Sequence, residues 1–158
     1  MTTESIISIF LGIGLAASAG FRVFLPLFAL SLASYFGAYF IPWVDNLLDS
    51  FAIPLAGIAG TVVMVSTVAD LEPLVTWILA IIAGGGTATA IKGASATSRL
   101  ASTATTGGLA NPIISAVETG TALVVTILSL LVPIAAVILV IVILGFIFNI
   151  YRKLRPKI

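Results

Sequence analysis

The chain has 158 residues, of which 60% are hydrophobic and 8% charged, with a formal net charge of +1. Soluble domains run nearer to ~45–50% apolar and ~25% charged, so this composition, at a mean hydropathy of +1.27, excludes a water-soluble monomer and indicates an integral membrane protein. The sequence has neither Cys nor His, which excludes disulfides, thiolate or imidazole metal sites, Cys nucleophiles and Ser-His-Asp chemistry.

In chain order, the first apolar stretch runs from Ser5 to Tyr39. At ~1.5 Å per residue that is too long for one crossing of the hydrocarbon. Gly12, Gly14, Ser18, Gly20, Arg22 and Pro26 interrupt its middle, and an arginine at mid-bilayer is costly. A helical hairpin or re-entrant pair is therefore expected over residues 5–39, bending near Gly20-Phe21-Arg22, in preference to one tilted span. Residues 40–50 (FIPWVDNLLDS) place Ile41, Trp43, Val44, Leu47 and Leu48 at helical spacing, with Asp45, Asn46 and Asp49 opposite. This predicts a short amphipathic helix in the interface, with Trp43 at headgroup level.

Four clear spans follow, at 51–69, 73–91, 113–131 and 133–150. The last leads into a basic tail, 152–158, holding Arg152, Lys153, Arg155 and Lys157. By the positive-inside rule this tail marks a cytoplasmic C-terminus. Counting crossings backwards puts Lys92 and Arg99 on the same side, Asp70 and Glu72 on the other. The expected fold is all-α: one polytopic transmembrane domain of four clear helices, an N-terminal hairpin or re-entrant pair, and an interfacial helix. At 16.3 kDa a single copy is small to enclose a permeation path, so a homo-oligomer is expected, with Gly57 and Gly60 as close-contact positions.

Few residues in such a chain can carry chemistry. Residues 87–111 (TATAIKGASATSRLASTATTGGLAN) are almost wholly Ala, Gly, Ser and Thr. As a helix they align Lys92, Ser95, Arg99, Ser102, Thr103 and Thr106 on one stripe. Two cations and four hydroxyls without bulk suit an anionic group or a file of water. The alternative is a small-residue helix packed among neighbours, its cations reaching to headgroups. Gly84-Gly85-Gly86 predicts an unwinding, a close crossing or a hinge, and it lacks phosphate-loop spacing. Gly14, Ser18 and Arg22 form a similar stripe near the N-terminus. Ala17–Arg22 and Ala94–Arg99 both read A-S-A-x-x-R at an offset of 77, which on this topology would be an inverted repeat. Glu118, inside a span, would be protonated or would need a partner, and Arg22, Arg99 and Lys92 are the cations available; it would serve as a gate, counter-ion or proton carrier, or as the ion pair that locks the bundle.

With these motifs in view, the sequence resembles the bacterial membrane family catalogued as domain of unknown function 4126. The likeness lies in the A-G-F-R-V-F-L-P-L core within Leu15–Leu27 and the D-x-x-x-D within Pro42–Asp49. It extends to the K-x-x-x-x-x-x-R helix at Lys92–Arg99 and the A-N-P-x-x-S-x-x-E segment at Ala110–Glu118. Thr119 stands where a second acidic residue is expected. The resemblance implies membership of a family without an assigned activity.

The expected function is a small oligomeric channel or transporter for a small ion or an anionic group, such as a lipid phosphate headgroup. Its path would be lined by Ser18, Arg22, Lys92, Ser95, Arg99 and Ser102, with Glu118 as gate or counter-ion. The alternative is a non-catalytic structural or assembly subunit of a membrane complex. No enzyme activity, catalytic residue, cofactor or metal is expected. Nor is a nucleic-acid partner, since the basic run is confined to the tail. Membrane lipids and other copies of the chain are the expected partners, in a cell inner membrane.

Overall fold

The computed structural model describes residues 3–21, 42–68 and 71–154. Among them the elements are all helical: α1 (Thr3–Phe21), α2 (Pro42–Thr67), α3 (Pro73–Leu79), a π-helical segment (Ala80–Gly85), α4 (Gly86–Thr106), α5 (Asn111–Leu131) and α6 (Pro133–Leu154). The segment from Pro73 to Thr106 is one unbroken run of 34 residues. Its end is set locally. Gly107 and Gly108 take φ of 62° and 88°, a left-handed stop that only glycine adopts without strain. Pro112 and Pro133 then lie at the starts of α5 and α6, where a missing N–H costs nothing.

Among the described residues, three helices are long and apolar enough to cross a membrane: α1, Pro73–Thr106 and α5. Phe51–Thr67 and Pro133–Asn149 are shorter apolar stretches. The expected spans at 73–91 and 113–131 thus sit within helices long and apolar enough to cross a membrane, and those at 51–69 and 133–150 lie largely within the 26-residue α2 and the 22-residue α6.

Two boundaries differ from expectation. Residues 42–50 do not form a separate interfacial helix, because α2 continues through Ser50-Phe51 to Thr67. No Gly or Pro separates the amphipathic and apolar parts, and Pro54, inside the helix, does not end it. The polar stretch 87–106 is no separate inside segment either. It continues the helix that begins at Pro73, and 34 residues at ~1.5 Å each give about 51 Å, well beyond a hydrocarbon core of ~30 Å. At the N-terminus, the described part of α1 ends at Phe21. The rest of the expected hairpin, with Arg22, lies outside the described residues.

Contacts between helices set their directions. Gly14 packs against Ser129 of α5 and Ala136 of α6, and Ser18 meets Ala122 and Thr126 of α5. Hence α1 runs antiparallel to α5, and its described part covers about half of it. Gly12 lies against Met64 and Thr67 of α2, whereas Gly20 lies against Ala88 of α4, itself seated on Gly60. It follows that α1, α4 and α6 point one way, α2 and α5 the other.

The expected inverted repeat does not survive this arrangement. The described part of the first A-S-A motif, Ala17–Phe21, and the second, Ala94–Arg99, lie on parallel helices. An offset of 77 would also carry the α5–α6 turn into the interior of α2. What the motifs share is local: each places a small hydroxyl where α1 or α4 touches α5.

The glycine triplet resolves into a close crossing with a local unwinding. A Cβ on Gly84 would stand 2.6 Å from the Gly60 carbonyl oxygen, and a Cβ on Gly60 2.6 Å from that of Gly84. Gly85 likewise faces Gly57 and Thr61. The π segment falls on these residues, as π turns do where a helix absorbs an irregular contact. Gly57 and Gly60 are therefore engaged within the chain by α4. The remaining core joins Ala17, Ile91, Val125 and Val140 from four helices.

Candidate functional site

One face of α4 packs on α2 through glycine. Another meets α5 through polar groups, and here the sequence-predicted residues converge. Glu118 lies seven residues into α5, about 10 Å from its start, and is 5% exposed. Arg99 grips it in a fork. Nη2 donates to Oε2 at 2.6 Å and Nε to Oε1 at 3.5 Å. Ser95, one turn earlier and buried, donates its hydroxyl to Oε1. Lys92, half-buried on the same stripe, lies within electrostatic reach of the carboxylate. A carboxylate in an apolar surround needs such partners, since an uncompensated charge there is expensive. The Arg99 side chain is 37% exposed against 7% for Glu118. The pair is thus asymmetric: the acid is fixed, and the base reaches outward.

Not every stripe residue joins this seam. Ser102 is buried but shares its hydrogen bonds with Thr106 of its own helix. Thr103 receives a hydrogen bond from Asn111 Nδ2 at 3.3 Å, and Thr106 one from the Ala110 N–H. Those two threonines therefore secure the turn into α5. Ser18 sits half-buried against α5, with its hydroxyl 3.2 Å from the Ala122 carbonyl, one to two turns away from Glu118. Arg22 lies outside the described residues. Of the seven predicted site residues, the structure brings together Ser95, Arg99 and Glu118, with Lys92 alongside.

Beside the seam is a cavity of about 380 Å³ between α4, α5 and α6, bordered also by Phe21 of α1. Its walls are mainly apolar, including Ile91, Ile114, Val117, Ile143 and Ile147, while Ser95, Ser98, Thr121 and Glu118 supply its polar surface. The sequence reading did not name Ser98 or Thr121. Thr121, three residues after Glu118, shares its helical face, a signal available in the sequence. The contributions of Phe21 and α6 carried none. Among the described residues no group of His, Cys, Asp and Glu is placed to hold a metal.

Comparison with known proteins adds one result. A family model described as Domain of unknown function (DUF4126) matches residues 36–153. The chain belongs to this family. The match covers α2 through most of α6, and with them the whole Ser95–Arg99–Glu118 seam; it leaves α1 and the Leu15–Leu27 motif outside. No curated protein and no solved structure matches the chain. The DUF4126 description assigns no activity, so the chemistry of the seam must be argued from its own geometry.

Proposed function

We propose that this DUF4126 protein is a small membrane transport protein that admits an anion by partner exchange at Arg99. The observation that carries the reading is the Arg99–Glu118 pair across α4 and α5, with Lys92 as a second cation nearby. Among the described residues the seam sets two cations, Arg99 and Lys92, beside the Glu118 carboxylate, and cations in a low-dielectric region attract an anion strongly. Glu118 holds Arg99 at rest, and an incoming anion competes for it from the exposed side of the guanidinium. Arginine suits this role because its planar fork binds a carboxylate or phosphate in two-pronged fashion.

The basic residues Arg152 and Lys153 lie at the end of α6, the same end of the bundle as the α4–α5 turn. Under the positive-inside rule that end is cytoplasmic, and the setting proposed is the inner membrane, with several copies assembled around the path. The same seam supports a second reading, as a structural subunit, because Ser95, Arg99 and Glu118 satisfy one another. No enzymatic step is proposed.

Reconstituted vesicles decide between the two. Flux of chloride or inorganic phosphate should fall at least tenfold in Arg99→Ala, while Glu118→Gln should bind the anion several-fold more tightly. If both variants fold, assemble and match the wild type, the pair is a structural tie and the transport reading fails.

A further inference from the structure

The cavity beside the seam has a polar surface of one kind. Ser95 gives its proton to Glu118. Ser98 donates to the Ala94 carbonyl at 3.0 Å, and Thr121 to that of Val117 at 2.8 Å. The fourth polar group, the Glu118 carboxylate, is acceptor-only when ionised. All four polar wall residues therefore present oxygen lone pairs, and none of the three hydroxyls has a proton to spare. Arg99 and Lys92 stand outside the cavity walls, so among the described residues no side-chain ammonium or guanidinium lines it.

The remaining wall is isoleucine, valine, alanine and phenylalanine. A volume of about 380 Å³ lies within the range of small-molecule sites, which are mostly apolar with a few convergent polar groups, and equals about a dozen waters. Water itself fits these walls poorly, because ordered water needs two to four polar partners and most of this surface has none. The contents should therefore be apolar over most of their length and donate at one end. Carboxylates and phosphates bring only acceptors and negative charge to Glu118. A hydrocarbon leaves the lone pairs unused, and a pocket built for a hydroxyl discriminates against the analogue that lacks it. An ammonium would donate, but Arg99 and Lys92 already act on the carboxylate and would repel a third cation.

We propose that this cavity binds an uncharged, largely apolar molecule of about ten non-hydrogen atoms with a single hydroxyl head, an alcohol or phenol, which donates to Glu118. This site is separate from the anion exchange at Arg99 and goes beyond it.

The test uses the full chain in lipid nanodiscs, with empty nanodiscs as the partition blank. Equilibrium dialysis measures 3-phenylpropan-1-ol, 3-phenylpropanoate, butylbenzene and 3-phenylpropylammonium. The alcohol should bind saturably above the blank. The carboxylate should bind at least tenfold more weakly, the hydrocarbon and the ammonium at least threefold more weakly. In Glu118→Gln the tenfold rejection of the carboxylate should shrink to about threefold or less, since the negative charge is gone. Val117→Trp or Ile147→Trp, which fill the cavity from α5 or α6, should each remove alcohol binding. Either folded variant suffices. Equal binding of alcohol and hydrocarbon, tighter binding of the ammonium or carboxylate, or alcohol binding unmoved by both tryptophans overturns the proposal. Alcohol binding without anion flux refutes the transport reading alone; anion flux without alcohol binding refutes this one alone.

Discussion

The helix from Pro73 to Thr106 is held by two kinds of contact. On α2 it is held by absence: Gly57, Gly60, Gly84 and Gly85 let two backbones meet with no side chain between them. On α5 it is held by presence: Ser95 and Arg99 reach across to Glu118, and a cavity opens beside them. The difference follows from the lipid solvent. Without a strong hydrophobic drive between helices, close packing and interhelical hydrogen bonds must do the joining. Close packing brings two backbones together without sealing the joint, since a hollow of about 770 Å³ lined by Gly57, Thr61, Gly85 and Thr89 borders it. A polar joint holds two helices at arm's length and leaves room for a ligand.

The comparison is broken most severely at the glycine joint. In Gly60→Val or Gly84→Val a Cβ would meet a carbonyl oxygen at 2.6 Å, and a backbone cannot rotate away as a side chain can. The expected loss is about 3 kcal/mol or more, read as a fall in the thermal midpoint in detergent or as failure to give a monodisperse protein.

At the polar joint the expected loss is smaller. Arg99→Ala leaves Glu118 buried beside Ser95 and Lys92. Breaking a buried pair costs ~3–5 kcal/mol, but Arg99 is 37% exposed, so about 1–3 kcal/mol is expected after discounting for screening. In a double-mutant cycle, Glu118→Gln should recover part of that loss. Strict additivity of the two changes would show that the pair contributes nothing.

Two weaker changes sharpen the contrast. Ser18→Ala removes one interhelical hydrogen bond to α5 and should cost about 0.6 kcal/mol, the average for such bonds in membranes. Gly86, which completes the triplet, meets nothing within 4 Å. Gly86→Ala should therefore be neutral or stabilise by about 0.5 kcal/mol, as expected for Gly to Ala in a helix with open space. A destabilisation comparable to that of Gly84→Val would show that the π segment itself, and not the crossing, demands the glycines.

These effects mark how far the sequence could be read. Glu118 was recognisable as a buried acid in need of a cation, because charge in an apolar run is conspicuous whatever the fold. Three cations were available, and choosing Arg99 required knowing that α4 and α5 are antiparallel neighbours joined by the Gly107-Gly108 turn. The glycine triplet was legible as an irregularity, yet its partners Gly57 and Gly60 read equally well as a face for another copy. A glycine's role depends on what comes near it, and nothing local records that. The boundary placed at Ser50-Phe51 misread a change of composition as a change of backbone. Hydrophobicity shifts there, but no residue breaks the helix.

Composition and hydropathy by themselves determined the class of this protein: apolar helices for a membrane, few charges, and one acid that must be paired. Those properties follow from the energy of each segment in lipid, which the segment alone decides. The tertiary structure decided the rest: which cation Glu118 takes, that the described parts of the A-S-A motifs run parallel, and that a mainly apolar cavity bearing a few acceptor oxygens lies between α4, α5 and α6. Helix direction, close approach and the space left between side chains belong to pairs and triples of helices, so no single stretch of sequence carries them.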